Sequence, residues 1–61
     1  MTDQPPFIGR SSVEVNVDDK WRAGRLRSCD HLDDQGWTCL VTWFPDEGHV
    51  RTDRFPAERV R

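Results

Sequence analysis

A chain of 61 residues makes one small domain, near the lower limit at which a protein folds without a staple. Hydrophobic residues are 34% of it and charged residues 33%, so the core must be small and dense in large side chains, which leaves room for a shallow groove and argues against an enclosed enzyme pocket of roughly 300 Å³ or more. Nine Lys and Arg against eleven Asp and Glu give a formal net charge of −2, which is not the strongly basic footprint of a dedicated nucleic-acid binder.

Residues 1–10 read as a flexible leader. Pro5-Pro6 cannot join a sheet ladder and Gly9 breaks any extended run through the segment; Phe7 and Ile8 are its residues suited to pack back on the domain. Residues 11–61 form the single folded domain. Val13, Val15 and Val17 alternate with Glu14 and Asn16, the period of a half-buried strand. Asp18-Asp19 supplies a tight turn, because short carboxylate side chains tolerate turn conformations. A second strand runs from about Lys20 to Cys29, and Ala23-Gly24 inside it predicts a bulge or sharp bend where two backbones approach closely.

Residues 30–36 form a polar loop. The third strand, Trp37 to Phe44, is the clearest in the chain, built of β-branched and aromatic residues with no breaker. Its face of Trp37, Cys39, Val41 and Trp43 is the more apolar and is assigned to the core; Thr38, Leu40, Thr42 and Phe44 take the other. Pro45-Asp46-Glu47-Gly48 is a turn signal. A fourth strand covers roughly His49 to Arg54, Phe55-Pro56-Ala57-Glu58 reads as a short helical turn, and Arg59-Val60-Arg61 as a terminal edge strand. No window of ten residues carries a helical period. Five short strands with tight turns predict an all-β, strongly bent barrel, with the bend at Ala23-Gly24 passing one strand between two half-sheets.

Cys29 and Cys39 are the only cysteines. Their spacing is neither a metal nor a redox motif, and they are read as ordinary reduced thiols, although the two come close in space if they flank one hairpin. With no apolar leader segment and no stretch long enough to span a membrane, the expectation is a cytoplasmic protein.

The order of elements resembles a family. A valine-rich strand and an acidic turn precede Lys20-Trp21-Arg22-Ala23-Gly24-Arg25-Leu26; Leu40-Val41-Thr42-Trp43-Phe44-Pro45-Asp46 and Phe55-Pro56-Ala57-Glu58-Arg59-Val60-Arg61 come after it. Over about residues 12–61 this is similar to the Tudor, Agenet and chromo-like group of small SH3-like barrels. The resemblance implies a five-stranded SH3-like (Tudor-like) barrel with a short helical turn before the last strand. It also implies a binding module, since members read methylated lysine or arginine, bind nucleic acid or dock on larger machines. By position, Trp21 and Trp43, or Phe44, resemble members of an aromatic cage.

In a meander the first and third turns share one end. That brings Asp18, Asp19, Asp46 and Glu47 beside Trp21, Trp43 and Phe44, a combination that suits a cationic partner through cation–π and long-range attraction. The bland alternative is that both Trp residues are core and the acids are simply turn residues. A second surface is basic: Arg25 and Arg27 share a face if no bulge comes after Gly24, with Arg51 or Arg54 nearby, and together with Arg59 and Arg61 they make a phosphate-tracking stripe, the alternative being a solvated face paired with Asp33, Asp34, Asp53 and Glu58. His31 with Asp30, Asp33 and Asp34, and His49 beside Glu47, lack the spacing of a metal site. No nucleophile–base pair, phosphate-cradling loop or paired-acid signature is present.

These features predict a non-enzymatic module without cofactor or metal, docking a protein or peptide, a cationic one included, through Asp18, Asp19, Trp21, Trp43, Phe44, Asp46 and Glu47. The alternative is a nucleic-acid-binding or transcription-associated barrel using Arg25, Arg27 and Arg51. An enzyme built by symmetric assembly ranks last, and the oligomeric state stays open. No membrane partner is expected.

Overall fold

The structure is a computed structural model that describes residues 6–61. Four strands succeed one another along the chain, β1 (Ser12–Val17), β2 (Lys20–Leu32), β3 (Gly36–Trp43) and β4 (Arg51–Pro56), and a 3₁₀ turn covers Ala57–Arg59. Each strand pairs antiparallel with its sequence neighbour, so the sheet is a meander of order β1-β2-β3-β4. No helix among the described residues is long and apolar enough to cross a membrane.

β1 obeys its alternation: Val13 and Val15 are buried while Glu14 is exposed. Val17 pairs with Lys20, leaving Asp18 and Asp19 as a two-residue turn with φ of 53° and 64°. Positive φ at both central positions is the hairpin turn whose twist matches the flanking strands, and Asn-Gly fills it with less strain than Asp-Asp. The double variant Asp18→Asn/Asp19→Gly is therefore expected to be more stable than the parent by about 1 kcal/mol. A urea midpoint that stayed put or fell would contradict this account of the turn.

β2 departs from expectation in two ways. It continues to Leu32, so the polar loop expected over 30–36 shrinks to a turn at Asp33–Gln35, closed by Gly36 at φ 71°. The register also runs unbroken through Gly24, which pairs with Val13 on one side and Trp43 on the other. The irregularity falls instead between Leu26 and Ser28, leaving Arg27 as the extra residue. Gly24 serves close approach rather than bulging: a Cβ there would stand 2.7 Å from Val41 Cγ1 and 3.0 Å from the Thr42 carbonyl oxygen.

Val13, Val15, Cys39, Val41, Trp43, Phe55 and Val60 form the core, with Phe7, Val17, Leu26 and Cys29 packed around it. The core face assigned to the third strand therefore holds for Cys39, Val41 and Trp43, while Trp37 is only half-buried, its ring edge-on to His31 at 5.3 Å. Thr38 and Thr42, on the other face, are buried as well. Arginines cover them: Arg27 Nε donates to Thr42 Oγ1 at 3.0 Å, and Arg54 Nη1 donates to Thr38 Oγ1 at 3.0 Å. The central strand is thus covered on both sides, by apolar packing within and by guanidinium-capped hydroxyls without.

The expected five-stranded closed barrel is corrected to an open four-stranded sheet. Of the terminal segment only Val60 bridges to Val15, flanked by hydrogen bonds in both directions between the Glu14 and Arg61 backbones, at 2.8 and 2.9 Å. The 3₁₀ turn takes Ala57–Arg59 out of extended conformation, and the described residues hold no fifth strand. The unbroken register at Gly24 likewise keeps β2 from dividing the sheet into halves at that point. β4 starts at Arg51 rather than His49, and Phe55-Pro56 ends that strand instead of opening the helical turn.

Residues 6–9 form a turn, with the Arg10 N–H donating to the Phe7 carbonyl at 3.0 Å. Phe7 is half-buried against the core and the Arg10 guanidinium lies over its ring at 5.8 Å, while Ile8 stays exposed. Of the expected leader, Phe7 thus packs on the domain and Ile8 does not; residues 1–5 lie outside the described residues.

Candidate functional site

The meander brings its first and third connections to one end, where they border an open groove of about 460 Å³. Val17 and Asp18 contribute from β1 and its turn, Pro45 from the β3–β4 connection, and Trp43 and Phe55 from the core beneath. Arg51, Asp53 and Arg59 line it as well. It is an open cleft between connections rather than a cavity enclosed in the core. Arg22 braces the end from β2, its Nη1 donating to the Pro45 carbonyl at 3.4 Å, while its buried Nε finds no acceptor among the described residues.

Asp53 organises the aromatic side of the groove. Its Oδ2 accepts from Trp43 Nε1 at 2.8 Å and its Oδ1 from Arg51 at 3.2 Å. A carboxylate holding an indole N–H satisfies the one polar atom of a ring that is otherwise core. Trp43 in turn meets Phe55 edge-on, with centroids 6.2 Å apart.

The expected site residues divide accordingly. Trp43 is a core residue, 6% exposed, which offers the groove only part of its ring. Trp21 lies on the opposite face of the sheet, because it stands an odd number of positions from Gly24, which pairs with Trp43. The Arg61 guanidinium sits 4.1 Å above the Trp21 ring, and Arg61 Nε also donates to Glu14 at 3.1 Å. The cage suggested for Trp21 with Trp43 is thus not assembled: the pleat sends the two rings to different sides, and an internal cation occupies one of them. Phe44, 54% exposed, is the accessible aromatic beside Trp43. Asp18, Asp19, Asp46 and Glu47 are all exposed on the two connections. The β3–β4 connection is closed by a hydrogen bond from the His49 N–H to the Asp46 carbonyl at 3.1 Å.

The basic residues are also redistributed. Arg25 pairs with Thr42 and Arg27 bonds to its hydroxyl, so both occupy the outer face. Arg51 does not join them. It pairs with Trp43 and shares the inner side of β4 with Asp53 and Phe55. Arg54 takes its place on the outer face, tied to Asp30 at 3.3 Å and to Thr38. Period-two counting from Phe55, a ring that a chain this small must bury, separates Arg51 from Arg54 in the sequence itself. Arg59 lines the groove from the 3₁₀ turn rather than from the expected terminal strand, and no local pattern marks it.

Among the described residues no group of three His, Cys, Asp or Glu side chains is placed to hold a metal ion. Comparison with known proteins gives no matching family model, no matching curated protein and no matching solved structure.

Proposed function

We propose that this chain is a non-enzymatic binding module that docks a short protein segment in the groove between its first and third connections. The observation that carries this reading is the groove's construction: an aromatic floor of Trp43 and Phe55 flanked by Arg51, Asp53 and Arg59, Asp18 in the lining, and Asp19, Asp46 and Glu47 exposed on the bordering connections. A segment placing an apolar side chain over Trp43 and Phe55, with lysine or arginine toward the acidic connections, matches that layout. Phe44 extends the apolar surface beyond the groove. Asp53 is engaged by Trp43 and Arg51, so the turn carboxylates are the ones free to attract the partner. The order of elements, with Val60 returned to Val15, supports kinship with the Tudor, Agenet and chromo-like barrels, in an open form.

Amide NMR titration of the labelled protein with basic peptides, unmodified and methylated, tests this. Shifts are expected at Val17, Asp18, Phe44, Asp46 and the Trp43 indole. In Asp18→Lys/Asp46→Lys the affinity should fall about tenfold or more, since each reversed charge replaces attraction by repulsion. An unchanged affinity in that variant contradicts the proposal.

The alternative is nucleic-acid binding on the outer face, favoured by the co-location of Arg25, Arg27 and Arg54 over β3. Its signature is a response to oligonucleotides confined to that face and abolished by salt.

A further inference from the structure

Cys29 and Cys39 stand directly opposite each other in the β2–β3 pairing. Opposed residues of an antiparallel pair have Cα atoms about 4.5 or 5.5 Å apart, inside the span of about 4.4–6.8 Å that a disulfide bridges without backbone movement. The side chains point toward each other, with the two Sγ atoms 2.6 Å apart. Both are free thiols. We propose that Cys29 and Cys39 form an oxidisable dithiol that closes reversibly into a cross-strand disulfide across the β2–β3 hairpin, with a small disulfide of the glutathione type as oxidant.

The surroundings assign different roles to the two sulfurs. Cys39 is fully buried, and burial first, then its hydrogen bond with Cys29, pushes its thiol up to about 12. It is therefore a poor first nucleophile. Cys29 is only half-buried, at the edge of the core beneath the N-terminal turn, where its Sγ donates to the Pro6 carbonyl at 3.8 Å. Cys29 accordingly reacts first. Having lost its proton to solvent, its thiolate attacks one sulfur of the oxidant, the oxidant's S–S bond breaks, and one glutathione thiolate leaves and is protonated. Cys39 Sγ then attacks Cys29 Sγ in the mixed disulfide, and the second glutathione leaves carrying the Cys39 proton. Two protein thiols lose two electrons and two protons, and the oxidant gains them as two thiols.

Equilibration of the whole chain in glutathione buffers, then acid quench, unfolding, alkylation and intact mass, tests this. In excess oxidised glutathione the expected product is a monomer two hydrogens lighter than the reduced protein, carrying no alkyl group, and restored by dithiothreitol. Cys39→Ala should hold one glutathione on Cys29, while Cys29→Ala takes up far less. The proposal is overturned if the wild-type chain remains doubly alkylated in the most oxidising buffer, or stops at a glutathione adduct, or forms only intermolecular dimers. The wild-type experiment decides alone, so a cysteine variant that fails to fold leaves the outcome readable.

Discussion

Trp43→Ala is expected to unfold the domain, not to yield a folded module that has merely lost its ligand. Trp43 is 6% exposed, packs edge-on against Phe55 and anchors its indole N–H on Asp53. Truncating a buried Trp costs about 3–5 kcal/mol, which matches the roughly 3–5 kcal/mol that the core of so small a domain supplies in total. Loss of the folded amide spectrum at ambient temperature is the readout. A variant that kept its dispersion and its urea midpoint would place Trp43 in a ligand cage after all. Trp43→Phe refines the test, because it keeps much of the packing while removing the donor to Asp53. Its expected cost is about 1–3 kcal/mol, that of a partly buried polar group left without its partner.

Gly24→Val is expected to be nearly as damaging, for a steric reason. Even the first carbon of a side chain would stand 2.7 Å from Val41 Cγ1 and 3.0 Å from the Thr42 carbonyl oxygen. Val41 is fully buried and the carbonyl belongs to the central strand, so neither can swing aside as the tip of an exposed side chain would. Overpacking of this kind costs about 1–3 kcal/mol and more when backbone must move, enough to depopulate the folded state here. Gly24→Ala should fall between the parent and the valine variant in urea titration. Equal midpoints for all three would mean that β2 and β3 are not in close contact at this residue.

Much of the sheet is legible in the sequence because its periodicity is local. The Val13-Val15 alternation, the breaker-free run of the third strand and the Asp18-Asp19 turn each announce themselves within a few residues, since the pleat imposes a period of two on any half-buried strand. The residues that fall elsewhere than expected are those whose place depends on register. Arg51 and Arg54 stand three positions apart in one short strand, so the pleat alone parts them, and the pairing of Arg51 with Trp43 and of Arg54 with Leu40 decides which face each takes. Trp21 and Trp43 flank the two connections at one end of the meander, yet the parity of their strands puts them on different sides of the sheet. The burial of Thr38 and Thr42 is hidden for a related reason. Threonine reads as solvent-facing until arginines from β2 and β4 reach across to cap it.

Local sequence is enough to specify an all-β domain, the positions of its main strands and tight turns, and the meeting of the first and third connections at one end. Those features arise from side-chain shape, hydrophobic alternation and turn chemistry acting over a few residues. Three-dimensional pairing alone settles that the sheet stays open, that Gly24 serves close approach while Arg27 is the bulge, and that Cys29 faces Cys39. Each of these depends on which residue lies opposite which across separate strands, and a one-residue change of register reverses every face.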